Sequence, residues 1–141
     1  MSYLLDTNVI SEIVRRRPSA RVVRWFEAVP DSALHLSVLS LGEIRKGVES
    51  LPGGNRKEKL RLWLERDLPA WFGPRLLPID TEVAERWGRL LASAGRSCPA
   101  IDSLLAATAL RHDLRLVTRN VKDLAYPGLE VVNPWLVESP S

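Results

Sequence analysis

Short apolar stretches alternate with longer amphipathic segments along this chain, and this alternation restricts the folds that it can adopt. Five stretches are predicted to be strands, and all but the second are as uniformly apolar as strands buried on both faces of a sheet. They are Tyr3–Asp6, Leu34–Ser37, Leu76–Ile79, Leu116–Thr118 and Val131–Val132. Because strands that alternate with helices form parallel sheets covered by helices, we predict an α/β sandwich with a central, mostly parallel sheet of about five strands.

The segments between these strands repeat apolar residues with helical spacing. We predict helices over Val9–Arg16, Ala20–Val29, Leu41–Leu51, Lys57–Trp71, Thr81–Ala94 and Ala100–His112. Pro18 separates the first two, and Pro52, Gly53 and Gly54 end the third. Parallel strands joined by right-handed crossovers point the same way, so their carboxyl ends should share the edge of the sheet where ligands bind.

The composition is that of an ordinary globular protein with a mildly basic charge. The 141 residues carry a formal net charge of +3, and we expect a single domain over 1–141. No apolar run reaches the roughly 18 residues of a membrane span, and no N-terminal signal sequence is visible. The single cysteine, Cys98, excludes an internal disulfide. We therefore expect a cytoplasmic protein with no membrane contact.

Four carboxylates occupy positions at which a strand gives way to a helix. Asp6 ends the first strand, and Glu43 is expected in the first turn of the helix after the second strand. Asp102 follows Pro99 in the first turn of its helix, and Asp123 stands just beyond the fourth strand. Carboxylates that share one edge repel each other, and a divalent cation removes this repulsion. The hard oxygen ligands favour Mg²⁺ or Mn²⁺.

A zinc site is disfavoured, because His35, His112 and Cys98 supply few nitrogen and sulfur ligands.

Each acid taken alone also has a purely structural explanation. Asp6 or Thr7 could cap a helix, and Ser40 to Glu43 could form a capping box. Asp102 could interact with the helix dipole, and Asp123 could cap a short turn. The four acids in this order are far more specific than any one of them.

Six stretches together resemble a known family. They are LLDTNVISE (4–12), LSVLSLGEIRKGVE (36–49), LPID (77–80), AIDSLLAATAL (100–110), LVTRNVKDL (116–124) and VNPW (132–135). The chain resembles PIN-domain ribonucleases, and specifically the VapC and FitB toxins of bacterial and archaeal toxin–antitoxin pairs. The resemblance implies a parallel sheet flanked by helices and acids that hold Mg²⁺ or Mn²⁺. By this similarity Asp6, Glu43 and Asp102 match the first three acidic positions.

The fourth acidic position is ambiguous. Many PIN domains have an acid where this chain has Asn120, whereas other VapC-like chains have asparagine there and an acid three residues later, which is Asp123 here. We expect Asp123 to supply the charge, directly or through a metal-bound water, and Asn120 to orient it or bind water. Thr7, Asn8 and Thr118 are expected to support the site through hydrogen bonds to carboxylates or to metal-bound water.

The resemblance implies a metal-dependent endoribonuclease that acts as the toxin of a type II toxin–antitoxin pair. Its expected partners are an RNA substrate, a second copy of the chain in a homodimer, and a cognate VapB-like antitoxin whose tail covers the acidic pocket. Arg45, Lys46 and Arg119 lie close in sequence to the expected ligands, so they are candidates to contact RNA or a partner.

Two alternatives from other classes remain open. A catalytically silent binding module could keep the PIN fold, although the intact acids argue against it. A phosphatase of the haloacid type also begins with a strand that ends on aspartate, but its chemistry needs a second acid two residues later. That position is Asn8 here. RNA cleavage measured with Mn²⁺ and with a chelator separates these three hypotheses.

Overall fold

The computed structural model describes residues 1–136 and contains the predicted parallel sheet at its centre. Its five strands are β1 Tyr3–Leu5, β2 Leu34–Ser37, β3 Leu76–Leu77, β4 Arg115–Val117 and β5 Val131–Val132. They lie in the order β3-β2-β1-β4-β5, and all four pairings are parallel. The first strand of the sequence is therefore the central strand of the sheet.

Three strands end earlier than the sequence predicts. Asp6, Ile79 and Thr118 lie outside β1, β3 and β4, because the chain turns away from the sheet at these residues. Asp6 still contributes one ladder hydrogen bond, since its backbone N–H donates to the Val117 carbonyl at 2.8 Å. The polar residues after each strand therefore lie at the rim of the sheet and face the space above its carboxyl edge.

Seven α-helices connect the strands, and their bounds differ in part from the prediction. They are α1 Thr7–Glu12, α2 Ala20–Ala28, α3 Val38–Glu49, α4 Asn55–Leu62, α5 Leu68–Phe72, α6 Thr81–Ala94 and α7 Ala100–Arg111. The single helix predicted over Lys57–Trp71 is interrupted by a π-turn at Trp63–Asp67, where the Leu68 N–H donates to the Trp63 carbonyl. Pro69 explains the wider turn, because its ring crowds the preceding turn and it has no N–H to donate.

The start of α3 corrects the prediction for Glu43. Ser37 caps this helix, with its hydroxyl oxygen accepting the Leu39 N–H at 3.1 Å. The alternative interpretation of Ser40 to Glu43 as a capping box is therefore wrong, and Glu43 lies in the second turn rather than in the predicted first turn. The helix start was predicted too late because Ser37 and Ser40 both precede an apolar run, and only Ser37 is the N-cap.

Helices cover both faces of the sheet. Tyr3 and Leu5 of β1 face a core built with α1 to α5, whereas Leu4 faces a second core built with α6 and α7. Asp80 caps α6, because its Oδ1 accepts the Val83 N–H at 2.9 Å. Within residues 1–136, no helix is both long and apolar enough to span a membrane.

Candidate metal centre

Asp6 is the central carboxylate of the candidate site, and every polar contact of its side chain comes from a neighbouring loop or helix start. Its Oδ1 accepts the Thr7 backbone N–H at 2.7 Å, so Asp6 is also the N-cap of α1. Its Oδ2 accepts the Thr118 hydroxyl at 2.8 Å, and the Asn8 amide lies 3.4 Å from the same oxygen. Hydrogen bonds from both strand ends therefore fix this carboxylate in one orientation.

The surroundings of Asp6 disfavour its ionised form. The residue is only 7% exposed, and this burial raises the pKa of its carboxyl above the usual value. The hydrogen bonds from Thr118 and Thr7 oppose this rise, while the negative charges of Glu43 and Asp102 add to it. A buried carboxylate with two like charges nearby is stabilised by a bound cation.

Hydrogen bonds between hydroxyl groups connect Glu43 to the start of α1 beside Asp6. The Thr7 hydroxyl donates to Glu43 Oε1 at 2.6 Å, and its oxygen lies 2.9 Å from the hydroxyl oxygen of the buried Ser40. A hydroxyl carries one proton and a carboxylate only accepts, so Ser40 donates to Thr7 and Thr7 donates to Glu43. Ser40 is a site residue that the sequence pattern did not predict. Its position one helical turn before Glu43 was the available signal, and it was interpreted as a cap.

Asp102 and Asp123 complete the acidic group. Asp102 lies in the first turn of α7, as predicted. Burial raises the pKa of its carboxyl first, and the negative charges of Asp123 and Glu43 raise it further. Asp123 lies in a short 3₁₀ turn over Val121–Leu124 and is exposed. The structure thus brings all four predicted acids within electrostatic reach of at least one other.

The loop after β4 contributes polar groups beside Asp6. Thr118 is fully buried, and its hydroxyl oxygen accepts the Asn120 N–H at 3.0 Å while its proton goes to Asp6. Asn8 bridges the two loops, because its amide lies 3.4 Å from the Thr118 hydroxyl oxygen and its carbonyl oxygen accepts the Arg119 N–H at 3.4 Å. Asn120 is exposed and precedes the turn that carries Asp123.

The three basic candidates occupy different environments. The Arg45 guanidinium forms ion pairs with Glu49 and Glu65, each at 3.4 Å, so it ties α3 to the π-turn. Lys46 is exposed on α3. Arg119 lies over the ring of Trp135 at 5.1 Å, next to the loop that carries Thr118. The backbone of Arg119 also contacts the site, since its N–H donates to Asn8 Oδ1.

The donor set suits a hard cation. Among residues 1–136, no three histidine, cysteine or acidic side chains converge tightly enough to enclose an ion by themselves. The four acids instead lie within electrostatic reach of one another at the carboxyl edge of the sheet and offer oxygen atoms only. Such a set fits a hard divalent cation, which binds through a few carboxylates and keeps several waters.

Substituting Asp102 with asparagine should stabilise the metal-free protein at neutral pH. A carboxyl whose pKa is higher in the folded state destabilises the fold while it is ionised, and this destabilisation disappears as the pH falls through the folded pKa. We expect the variant to melt about 2–4 °C above the wild type at pH 7.5 in a chelator, and the gap to shrink towards pH 4. A variant that melts below the wild type at pH 7.5 would show that the ionised Asp102 carboxylate does not destabilise the fold.

Comparison with known proteins shows the family. A PIN domain family model matches residues 3–125. Plasmid stability protein StbB of Pseudomonas syringae pv. tomato is 38% identical over 135 residues, which cover 94% of this chain and 97% of that protein. Toxin FitB of Neisseria gonorrhoeae is 37% identical with the same two coverages. VapC ribonuclease Y4jK of Sinorhizobium fredii is 36% identical, covering 94% of this chain and 96% of that protein.

Solved structures agree with this assignment. FitAcB from Neisseria gonorrhoeae superposes with a TM-score of 0.89 at 36% identity, covering 96% of this chain and 99% of that one. A toxin–antitoxin complex from Klebsiella pneumoniae gives a TM-score of 0.67 at 27% identity, covering 94% and 98%. The family match, the relatives over nearly the full chain and the shared parallel sheet establish that this chain belongs to the PIN domain family.

Proposed function

We propose that this protein is a metal-dependent endoribonuclease that acts as the toxin of a type II toxin–antitoxin pair. The observation that carries the proposal is the placement of Asp6, Glu43, Asp102 and Asp123 at one edge of the sheet, where their charges act on each other. The names of two relatives, a VapC ribonuclease and the toxin FitB, support both the nuclease activity and the toxin role. The proposal treats 1–141 as one domain, in keeping with the continuous sheet from β1 to β5.

In this proposal the four acids bind Mg²⁺ or Mn²⁺. When bound, such an ion activates water for attack on a phosphodiester and neutralises charge on the phosphate. Oxygen-only ligands and the unfavourable charge of the buried Asp6 carboxylate support this choice of ion. The chain's own contribution is to hold the acids at fixed positions directly after β1, on α3, on α7 and in the turn after β4.

Hydroxyl groups around the acids keep the carboxylates oriented. Thr118 and Thr7 each donate to one carboxylate, so the lone pairs that remain on Asp6 and Glu43 are directed away from these donors. Asn8 links the two loops that carry these donors. Groups of this kind usually change metal affinity or activity by about 10- to 100-fold when they are removed.

RNA cleavage by the purified protein tests the proposal. We expect hydrolysis of a long RNA with Mn²⁺ or Mg²⁺, and loss of at least about 99% of the rate with excess chelator. Restoring the divalent cation should restore cleavage. Cleavage that persists undiminished in the chelator would refute the metal mechanism.

The same assay separates the alternatives. A silent PIN-fold module predicts no RNA cleavage under any metal condition. A haloacid-type phosphatase predicts hydrolysis of a phosphate monoester such as p-nitrophenyl phosphate and no cleavage of RNA. Asn8 argues against the phosphatase, since its side chain is neutral where that chemistry needs an acid.

We further propose that the protein acts as a homodimer with a cognate VapB-like antitoxin. The solved toxin–antitoxin complex from Klebsiella pneumoniae, which shares the fold, supports a partner of this kind. An antitoxin cation placed among the four acids would gain charge complementarity with them. We expect expression of this chain alone to arrest growth, and co-expression of a small protein encoded beside it to relieve the arrest. A chain that is harmless alone and binds no such neighbour would refute the toxin role.

A further inference from the structure

Glu12 is a buried carboxylate that the proposed mechanism does not use. It ends α1 and is only 5% exposed. Its Oε2 accepts the Ser19 backbone N–H at 2.8 Å, and its Oε1 accepts from the Arg15 guanidinium at 3.1 Å. A buried carboxylate is costly unless it is paired and hydrogen-bonded, and this one is both. Glu12 therefore fixes both ends of the loop between α1 and α2.

A second contact holds the first part of this loop. The exposed Arg56, at the start of α4, donates from its guanidinium to the Val14 carbonyl at 3.4 Å. The Arg15 N–H also donates to the Glu12 carbonyl at 3.2 Å, so the chain continues one turn beyond the helix. The loop is thus attached to two helices and keeps a defined shape.

This loop presents two arginines without acidic partners, next to Arg15, which is paired with Glu12. Arg16 and Arg17 are exposed, and within residues 1–136 neither forms an ion pair with a carboxylate. We call Arg15, Arg16, Arg17 and Arg56 the basic loop cluster. Like charges held close together repel each other, and the planar guanidinium binds phosphate oxygens in pairs. A polyanion that carries phosphates is the partner that this chemistry fits best.

A groove leads from the basic loop cluster to the acidic edge. It has a volume of about 230 Å³, and its walls come from the end of α1 and from α3 and α4. Val14 and Arg56 line the groove near the cluster, and Glu43 lines it at the acidic edge. The groove thus joins Glu43 to Arg56 along one continuous surface, and most of the side chains between them are apolar.

We propose that the basic loop cluster binds backbone phosphates of the RNA strand whose scissile phosphate lies at the acids. The inference rests on the proposed ribonuclease function and adds a second contact to it, separated from the acids by α1. Six helical residues span about 9 Å, so the contacted phosphates belong to nucleotides beyond the one that is cleaved. The cluster thereby favours long RNA over very short RNA.

Binding measured as a function of salt tests this proposal. A fluorescent single-stranded RNA of 20 nucleotides is titrated with protein in a chelator, at several salt concentrations, with anisotropy as the readout. The variant Arg16→Gln/Arg17→Gln should bind roughly tenfold more weakly at low salt, and its slope of log affinity against log salt should be shallower by about 1.4. The matched control, Arg86→Gln/Arg89→Gln, removes the same charge from α6 on the opposite face of the sheet and should keep the wild-type slope.

A second variant separates the shape of the loop from its charge. Glu12→Ala removes one negative charge, so electrostatics alone predict stronger RNA binding. The same change releases the loop, and we therefore expect RNA binding to become weaker. Its circular dichroism and melting curve show whether it is folded. If it does not fold, the double-arginine variant still decides the question.

The outcomes are distinguishable from failure of the proposed function. If the wild type neither binds nor cleaves RNA, the ribonuclease proposal fails whatever the loop does. If the wild type cleaves a 20-nucleotide RNA and a trinucleotide, the double-arginine variant should lose cleavage of the long RNA at low concentration and keep that of the trinucleotide. If Arg16→Gln/Arg17→Gln bound RNA with the salt dependence of the wild type, the inference would be wrong. It would also be wrong if the cluster bound an acidic protein segment and no RNA.

Discussion

Asp6→Asn is expected to abolish RNA cleavage while the protein stays folded. Asparagine keeps the shape of the side chain and an oxygen that can still accept the Thr7 N–H, so the cap of α1 survives. The variant lacks the negative charge that a divalent cation would bind at the centre of the site. We expect the cleavage rate to fall by about three orders of magnitude or more, measured on a long RNA with Mn²⁺.

A matched control is available in the same chain. Asp67→Asn removes one carboxylate charge from an exposed residue of the π-turn and should leave the cleavage rate unchanged. Circular dichroism and a melting curve without metal should show that Asp6→Asn is folded, since burial already disfavours the ionised form of Asp6. Near-normal cleavage by Asp6→Asn would be incompatible with the metal mechanism.

Asp123→Ala is expected to weaken Mn²⁺ binding and to slow cleavage severely. Asp123 lies one 3₁₀ turn after Asn120, and its charge raises the pKa of the Asp102 carboxyl. The two carboxylates are therefore close enough to bind the same cation. Losing one carboxylate ligand should reduce Mn²⁺ affinity by about 10- to 100-fold, measured by titration calorimetry. Asn120→Ala should have a smaller effect because a neutral amide is a weaker ligand.

The double variant decides which residue holds the fourth position. Asn120→Asp in the Asp123→Ala background should partly restore both Mn²⁺ affinity and cleavage, since it returns one negative charge near the edge. Unaltered affinity and rate in Asp123→Ala alone would instead leave a site of three acids, namely Asp6, Glu43 and Asp102. In that case Asp123 would have only a structural role in the turn.

The sheet and the positions of two acids follow directly from sequence patterns. An apolar strand that ends in a polar residue and continues into a helix has to place that residue at the carboxyl edge, which located Asp6. Pro99 marks a helix start with equal clarity, which located Asp102 in the first turn of α7. Glu43 was assigned to the correct edge but to the wrong turn, because two serines precede the helix and local preference does not choose between them.

The exact partners of contacts between distant segments were not predictable from local patterns. A hydrogen bond from Thr118 to a carboxylate was expected, but that its partner is Asp6, 112 positions away, depends on the pairing of β1 with β4. The ion pair between Arg45 and Glu65 depends on the π-turn, whose width no helical periodicity indicates. The buried role of Glu12 was also missed, since a carboxylate at the end of an amphipathic helix normally faces solvent.

The central position of β1 in the sheet has a consequence for the order in which this protein can become active during translation. Asp6 is translated long before β4, which is one of the two neighbours of its strand and begins only at Arg115. A nascent chain that ends before β4 contains Asp6, Glu43 and Asp102 but neither Thr118 nor Asp123. The acidic edge therefore forms only after β4 and the turn that carries Asp123 have left the ribosome, so synthesis interrupted before them yields fragments that lack the complete site.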